Sequence, residues 1–367
     1  MTCLVDHLHK GEASFCTQKL GEHFPVLSQR EAFKVTSQTD GKWVATATYD
    51  STVILWDAAE GTTVHQWTPH DYTTVTSLAF CPDGPFLLSG GNDSKVKIWD
   101  LAEDLREVTT LEGHTSHITC CVWSPRGDVI ASGSFDGTIR LWNARTFHKL
   151  YVLKQSGLEA DYIDLAMFSP DGRWLVFGST RSYHVWNVDS SMLHKSVLAS
   201  GFHAHITVFD SSSTRLLVPE GDVVKLVDVE TGEELAVLRD LKSGGRGAAF
   251  SPDGTLMLMA FDNGTIKLWD ANTSVELFSL EGHRKPIQGA SFSPCGKYVA
   301  SASDDGTVRL WRTRDGSCEA TFSEHQGTVV LHVTFSPDGE TLWSRDSDGT
   351  IIMRRMRDII PTDEQAL

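Results

Sequence analysis

With 367 residues, of which 40% are hydrophobic and 22% charged, the chain is long enough for two or three ordinary domains or one large repetitive domain. Its formal net charge of -16 at pH 7 argues against nonspecific binding to nucleic acid or anionic membranes, because both require a basic surface. Its 7 cysteines form no Cys-x-x-Cys pair and no long apolar window occurs, so we expect free thiols and a soluble cytoplasmic protein, with the nucleus as the alternative location.

Along the chain, one unit is repeated. Short strand patterns ending in Val-Ile-Leu-Trp-Asp, Lys-Ile-Trp-Asp or similar words recur, and we call their aromatic position the tryptophan slot. The slot residues are Trp56, Trp99, Trp142, Trp186, Val227, Trp269, Trp311 and Arg354. The steps between slots are 43, 43, 44, 41, 42, 42 and 43 residues, which predicts eight units in one domain spanning 1–367. The units end near residues 57, 100, 143, 187, 228, 270, 312 and 355.

A second marker confirms the phase of the repeat. Turn sequences with Pro followed two residues later by Gly lie at 81–84, 124–127, 169–172, 251–254, 293–296 and 336–339. Pro presets φ for a tight turn and Gly takes the left-handed position, so these segments separate the first and second strands of a unit. In the best-formed unit, the turns at 124–127 and 136–137 separate strands predicted at 118–123, 129–132 and 138–142.

The period, a Gly-His pair near the start of several units, the Asp-Gly turn and the terminal Trp-Asp together resemble the WD-repeat family. The resemblance implies an all-β, closed β-propeller in which each unit is a four-stranded antiparallel blade with its fourth strand outermost. Seven blades are the commoner count in that family. The units in this sequence number eight, so we predict eight blades, with seven as the alternative.

The last unit has no fourth strand before the chain ends. Residues 14–20, followed by Gly-Glu-His23, are similar to residues 275–280, followed by Glu-Gly-His283. We therefore predict that residues 14–20 close the ring as the outer strand of the last blade, which would remove an exposed sheet edge.

Three units carry a matching set of four side chains. In a four-stranded meander, the loop before the first strand and the turn between strands two and three lie at the same end, so the histidine and the turn aspartate should meet. The sets are His70, Ser89, Asp93 and Trp99; His114, Ser132, Asp136 and Trp142; and His283, Ser301, Asp305 and Trp311. The family resemblance implies that each is a structural tetrad, a hydrogen-bonded chain from indole through hydroxyl and imidazole to carboxylate.

A His-Ser-Asp set also suits hydrolysis, but a catalytic triad occurs once and faces a cleft, whereas this set recurs on predicted buried strands. We therefore predict no catalytic residues and no enzyme activity. His7 and His9, or His203 and His205, have a spacing that could suit a metal, but neither pair has a Cys or carboxylate set in phase with it. No phosphate-binding loop is found either, so no metal and no cofactor are predicted.

The other units depart from the tetrad pattern. Unit 8 has His325, Ser344 and Asp348, but Arg354 in the slot, and unit 1 lacks the histidine. Units 4, 5 and 6 lose most of the set. We expect apolar packing to hold these three blades and the ring to be loosest there.

Binding candidates lie at the tetrad end of the blades, around the mouth of the central channel. The residue before each turn aspartate and those before each first strand should point outward there. The candidates are Tyr49, Tyr72, Phe135, Tyr162, Phe202, Asp262, Arg284 and Asp304. Because exposed aromatic residues are common at interface hot spots, we expect an aromatic patch of Tyr49, Tyr72 and Phe135 across blades 1 to 3.

These features favour a noncatalytic protein-protein interaction scaffold that docks a peptide or protein partner on this face. The acidic balance favours a basic partner. A reader of a basic or modified peptide tail is the alternative, supported by Asp262, Asp304 and Glu220, and an enzyme with an unrecognised site is a remote one. We expect no nucleic acid or membrane partner and a monomer on its own.

Overall fold

Eight separate antiparallel sheets of four strands each make up the architecture. The computed structural model describes residues 26–28, 32–38, 41–48, 50–58, 61–102, 104–154, 162–179, 182–198, 207–220, 223–238 and 245–360. The prediction of an all-β propeller with eight blades is confirmed, and the alternative of seven is wrong.

The strands of each blade follow one another in the chain, except in the last blade. Blade 1 contains β2 (Ala32–Ser37), β3 (Trp43–Thr48), β4 (Val53–Asp57) and β5 (Thr63–Trp67), and blade 2 contains β6 (Val75–Phe80), β7 (Phe86–Gly91), β8 (Val96–Asp100) and β9 (Arg106–Leu111). Blade 3 contains β10 (Ile118–Trp123), β11 (Val129–Ser134), β12 (Thr138–Asn143) and β13 (Lys149–Lys154), and blade 4 contains β14 (Leu165–Phe168), β15 (Trp174–Gly178), β16 (Ser182–Asn187) and β17 (Met192–Leu198).

The second half of the ring repeats this order. Blade 5 contains β18 (Val208–Phe209), β19 (Arg215–Glu220), β20 (Val223–Asp228) and β21 (Glu234–Leu238), and blade 6 contains β22 (Gly245–Phe250), β23 (Leu256–Phe261), β24 (Ile266–Asp270) and β25 (Glu276–Leu280). Blade 7 contains β26 (Ile287–Phe292), β27 (Tyr298–Ser303), β28 (Val308–Arg312) and β29 (Cys318–Phe322), and blade 8 contains β30 (Val330–Phe335), β31 (Thr341–Asp346), β32 (Ile351–Arg355) and β1 (Val26–Ser28).

The outer strand of blade 8 comes from the other end of the chain. Val26 and Ser28 of β1 pair antiparallel with β32. The predicted closing segment, residues 14–20, lies outside the described residues, so its position was not confirmed. The prediction rested on matching Gly-Glu-His23 to Glu-Gly-His283. The strand that the structure shows at the edge of β32 is β1, which comes directly before β2 in the chain.

The hydrophobic core is divided into eight clusters, each between two successive blades. Between blades 2 and 3, for example, Leu88 and Ile98 pack with Ile118 and Trp142. A cluster that includes Trp56 of blade 1 and Trp343 of blade 8 covers the junction where the two ends of the ring meet. Each sheet therefore buries both faces against its neighbours, which explains why a single blade needs the others.

Blade 5 shows how a degenerate unit keeps its first turn. Ser213 occupies the glycine position with φ of 62°. The fully buried Asp210 accepts hydrogen bonds from the backbone N–H groups of Thr214 and Arg215, both at 2.9 Å, and pairs with the Arg215 guanidinium at 3.0 Å. The Asp210 carboxylate thus stabilises this turn, which lacks the Pro and Gly of the corresponding turns in other blades.

The described residues contain one helix, α1 (Met356–Ile359), whose Met356 packs in the core between blades 7 and 8. No helix in this part of the chain has the length and apolar character needed to cross a membrane.

Candidate functional site

In blades 2, 3 and 7, the predicted tetrad residues are linked by hydrogen bonds. In blade 3, the Trp142 indole N–H donates to Ser132 Oγ at 2.9 Å, Ser132 Oγ lies 2.9 Å from His114 Nε2, and His114 Nδ1 lies 2.9 Å from Asp136 Oδ2. The corresponding distances are 2.9, 2.8 and 2.9 Å in blade 2 and 2.9, 2.8 and 2.9 Å in blade 7. The same spacing therefore builds the same chain three times.

One proton arrangement satisfies every member of the chain. Ser132 Oγ accepts from the indole and donates to His114 Nε2, so Nδ1 carries the imidazole hydrogen and donates it to Asp136. Burial lowers the pKa of the His114 imidazole, although its bond to Asp136 acts in the opposite direction. The imidazole is therefore neutral at pH 7.

The carboxylate at the end of the chain is held in its ionised form. Burial alone would raise the pKa of Asp136, but hydrogen bonds from the Thr138 hydroxyl, the Thr115 N–H and His114 outweigh it and lower the pKa to about 2. In blade 7, Asp305 receives the equivalent bonds from Thr307, Arg284 N–H and His283, and its pKa is also lowered to about 2 despite burial. Each aspartate thus ties its turn to the loop before the first strand.

Blade 8 builds a tetrad that the sequence prediction misassigned. His325 Nδ1 lies 2.8 Å from Asp346 Oδ2, while the predicted partner Asp348 is exposed. Asp346 sits eight residues before the slot, where the other tetrad blades have Gly91, Ser134 or Ser303. At Gly91 an added Cβ would lie 2.6 Å from the His70 ring, so this position is next to the imidazole and a carboxylate there reaches it directly.

The slot of blade 8 contains a fully buried arginine. Arg354 donates to Ser344 Oγ at 2.7 Å, in place of the indole N–H, and to Glu324 Oε2 at 2.9 Å. Its guanidinium also lies 4.8 Å from the centre of the Phe322 ring. The arginine replaces both the hydrogen bond and the stacking surface of the tryptophan.

Blades 4, 5 and 6 have apolar side chains where the serine would be. The residues ten positions before their slots are Val176, Leu217 and Met259, all fully buried. In blade 4, the slot tryptophan Trp186 therefore has no acceptor, and its buried Nε1 makes no hydrogen bond among the described residues.

The loops that the tetrads connect form one face of the ring, which we call the tetrad face. The N–H of the residue before the turn aspartate donates to the carbonyl of the residue that immediately precedes the first strand. These bonds are Asn92 to Thr74 at 3.0 Å, Phe135 to His117 at 3.0 Å, Asp304 to Pro286 at 2.9 Å and Ser347 to Val329 at 2.8 Å. The predicted meeting of the two loops is therefore present in blades 2, 3, 7 and 8.

The expected patch of Tyr49, Tyr72 and Phe135 is not seen among the described residues, which exclude Tyr49. Phe135 packs against Tyr162 of blade 4, with ring centres 4.8 Å apart, and edge-on against His117 at 6.0 Å. Tyr72 has no ring contact among the described residues, and Tyr49 and Phe202 lie outside them. The aromatic cluster thus lies between blades 3 and 4, because Phe135 leans toward the next blade and not toward blade 2.

The charged candidates belong to a hydrogen-bonded chain across blades 6 and 7. Asp262 accepts from Arg246, Arg246 donates to Gln288 at 3.2 Å, and Gln288 donates to Asp304 at 2.6 Å. Arg284 is exposed at the same face. Sequence reasoning missed Arg246 and Gln288, although both occupy the second position of a first strand, where a polar side chain can face the channel mouth.

In the described part of the chain, no three His, Cys, Asp or Glu side chains gather as metal ligands would.

Comparison with known proteins agrees with this architecture. A protein-family model described as "WD domain, G-beta repeat" matches residues 15–57, 61–100, 105–143, 244–270, 274–312 and 316–353. It omits blades 4 and 5, and it includes blade 6, although all three lack the tetrad.

Among solved structures, the crystal structure of the computationally designed Ika8 protein is similar. It is 25% identical with a TM-score of 0.76, and the match covers 89% of this chain and 97% of that chain. A search of curated proteins gave no match. Propellers of the matched family are generally protein-interaction scaffolds. Since the family model covers more than half of the residues and the fold is an eight-bladed propeller, the chain belongs to the WD-repeat family.

Proposed function

We propose that the protein is a noncatalytic interaction scaffold that docks a peptide or protein partner on the tetrad face. The observation that carries this proposal is Phe135, which stays 51% exposed although it contacts two other rings. It directly precedes Asp136, which accepts hydrogen bonds from three other residues. A large aromatic side chain held rigid and exposed has little conformational entropy to lose on binding.

Tyr72 supports the same face from blade 2. It is 85% exposed and its backbone has φ of 65°, a left-handed conformation that costs a bulky residue about 1 to 2 kcal/mol. The loop is held because Thr73 donates to the His70 carbonyl through both its N–H and its hydroxyl, each at 2.7 Å. Strain that displays an aromatic ring in solvent, next to a tetrad histidine, is typical of a functional position.

The tetrads themselves are unsuited to nucleophilic catalysis. Ser89, Ser132 and Ser301 are completely buried, and each hydroxyl already binds both an indole and an imidazole. A substrate carbonyl cannot reach the oxygen, which supports a noncatalytic role for these sets.

A reader of a basic tail has weaker support. Asp262 is bound by Arg246 and Asp304 by Gln288, so both carboxylates would have to exchange a partner to bind a cation. We therefore favour recognition by the aromatic residues, and we expect a cytoplasmic protein that is a monomer on its own.

The test is affinity capture from the native cell with wild-type protein and with the double variant Tyr72→Ala/Phe135→Ala. A matched control, Val275→Ala/Leu277→Ala, removes exposed apolar side chains on and beside the outer strand β25 of blade 6. We expect partners that bind the wild type and the control to be lost from the double variant. An identical set of partners for all three proteins would contradict the proposal.

A further inference from the structure

The outer strand of blade 3 differs in charge from its counterparts. In blades 2, 5 and 6, a glutamate pairs across the ladder with the slot residue and forms an ion pair with the lysine two residues before the slot. These pairs are Lys97–Glu107 at 2.9 Å, Lys225–Glu234 at 3.0 Å and Lys267–Glu276 at 2.8 Å. In blade 3, the ladder partner of Trp142 is Lys149, and Arg140 stands two residues before the slot. Blade 3 therefore has two positively charged side chains, Arg140 and Lys149, where the other three blades have a lysine and a glutamate.

Acidic residues are also absent from the sequence on both sides of β13. Residues 137–158 contain no Asp or Glu, although the whole chain has 48 acidic and 32 basic residues. The same segment contains Arg140, Arg145, Lys149 and Lys154. Neither Lys149 nor Lys154 forms an ion pair with any described residue. Within the described part of an acidic protein, β13 thus carries two lysines that no carboxylate pairs.

Between its two lysines, β13 exposes three consecutive apolar side chains. Leu150, Tyr151 and Val152 are 43%, 40% and 39% exposed, whereas β5, β9, β21 and β25 each expose one large apolar residue. Tyr151 reaches toward blade 4, where its ring centre lies 6.0 Å from that of Trp186. Leu193, the ladder partner of Trp186, is also exposed and extends this apolar surface onto blade 4.

The backbone of β13 is available for pairing. Its sheet has the order β10-β11-β12-β13, so among the described strands nothing pairs along the outer edge of β13. Such an edge is a template for an added strand, whose backbone hydrogen bonds provide affinity and whose side chains provide specificity.

We propose that β13 is a second docking edge, which takes an extended acidic segment of a partner protein as an added strand. Carboxylates at the two ends of the segment would pair with Lys149 and Lys154, and apolar side chains between them would cover Leu150, Tyr151 and Val152. This edge is on the outside of blade 3 and is independent of the tetrad face.

A second copy of the chain fits this edge less well. The sequence of β13 is Lys-Leu-Tyr-Val-Leu-Lys, so antiparallel pairing with itself would place Lys149 opposite Lys154 at both ends. Like charges directly opposite each other destabilise a ladder, whereas carboxylates at these positions stabilise it. Charge complementarity therefore selects an acidic partner.

The test uses the full chain and fluorescein-labelled peptides, with fluorescence anisotropy as the measurement. The acidic probe is Ser-Glu-Glu-Val-Thr-Val-Thr-Glu-Glu-Ser, and the basic probe has Lys in place of every Glu. We expect the wild type to bind the acidic probe and not the basic one, with affinity that falls as salt rises. Lack of binding to the acidic probe, or equal binding of both probes, would overturn the proposal.

Variants locate the site. Lys149→Glu/Lys154→Glu should weaken binding of the acidic probe about tenfold or more. The control Lys285→Glu/Arg314→Glu makes the same change in net charge at two exposed positions of blade 7 and should keep the wild-type affinity. Phe135→Ala should also bind the probe normally, which separates this edge from the tetrad face. Equal loss in the control, or a wild-type dimer in sedimentation velocity that the acidic probe does not dissociate, would count against an acidic partner strand.

Discussion

Blades 3 and 4 are neighbours that solve the same packing problem with different chemistry. Blade 3 buries Ser132 between Trp142 and His114, and every polar atom of that chain has a partner. Blade 4 has Val176 at the position of the serine, and Phe177 stacks on His184 nearby, with ring centres 5.1 Å apart. Its Trp186 still fills the slot, but the indole N–H has no hydrogen-bond acceptor among the residues that the structure describes. The slot tryptophan therefore stabilises a blade mainly through packing, and the hydrogen bonds of the tetrad add to that packing.

The difference teaches what the tetrad is for. Blades 4 to 6 form four-stranded sheets without it, so the polar chain is not required for the blade to fold. In blade 3 it connects the turn at Asp136 to the loop at His114 and Thr115. We conclude that the tetrads hold the loops of the tetrad face in place, which is where the proposed binding residues lie.

The largest expected effect is in blade 8, where the slot is charged. Arg354→Leu leaves Glu324 and Ser344 without their donor and should lower the free energy of unfolding by about 3 kcal/mol. Arg354→Trp should be less harmful than Arg354→Leu, because its indole N–H can reach Ser344. Urea denaturation measures both, with the exposed Arg355→Leu as the control, and equal effects of Arg354→Leu and the control would show that the buried pair contributes nothing.

In blade 3, Ser132→Ala removes the hydroxyl that joins the indole to the imidazole. Two buried groups, Trp142 Nε1 and His114 Nε2, then lose a partner. We expect a loss of about 2 kcal/mol in the free energy of unfolding. If Ser132→Ala unfolds at the wild-type urea concentration, the tetrad is not stabilising.

Hydrogen exchange followed by mass spectrometry compares the regions within one molecule. If each tetrad raises the free energy of local opening by about 1 kcal/mol or more, backbone amides in the strands of blades 2, 3 and 7 should exchange about tenfold more slowly than those in residues 158–270. The slowest exchange within residues 158–270 would reverse the comparison.

Substitutions of Val176 in blade 4 test whether the Trp186 indole lacks only a hydrogen-bond acceptor. Val176→Ala should destabilise by about 2 kcal/mol through lost packing. Val176→Ser removes a similar volume but places a hydroxyl where Trp186 Nε1 can donate to it, so it should cost about 1 kcal/mol less than Val176→Ala. If the serine variant is the less stable of the two, the unpaired indole N–H is not the deficit we infer.

The smallest effect is that of pH. Burial lowers the pKa of His114, His283 and His184 relative to the unfolded chain, so their stabilisation is complete above about pH 6.5 and declines as the pH falls below it. The pKa of about 2 for Asp136 and Asp305 adds a further decline between about pH 4 and pH 2. Urea midpoints should therefore fall from about pH 7.5 to pH 5.5, and a higher midpoint at the lower pH would contradict the assignment of neutral histidines.

Much of the fold followed from spacing. The slots at Trp99, Trp142 and Trp311 and the serines ten residues before them could be read directly, because a repeated unit places equivalent side chains at equivalent positions. The strand predicted at residues 118–123 has the same bounds in the structure, since the turn at 124–127 leaves little freedom for where a short strand ends.

The prediction was wrong where two residues of one chemical type competed. Asp346 is the last residue of β31 and Asp348 lies two residues beyond it, and only the three-dimensional path shows that Asp346 reaches His325. The ring partner of Phe135 could not be predicted from the sequence either, because adjacent loops come from units more than 20 residues apart. The direction of the Phe135 side chain places it against blade 4 and not blade 2. The charge of β13 was readable in the sequence, but its significance depends on which residues face it across the ladder.

By itself, the sequence determined the number of blades, the four-stranded repeat and the members of three tetrads, because these depend on periodic spacing along the chain. The tertiary structure alone decided which strand completes blade 8, which aspartate serves His325, where the aromatic residues gather and which lysines of β13 lack a carboxylate. These features depend on contacts between segments distant in sequence, and such contacts are set by packing and not by local pattern.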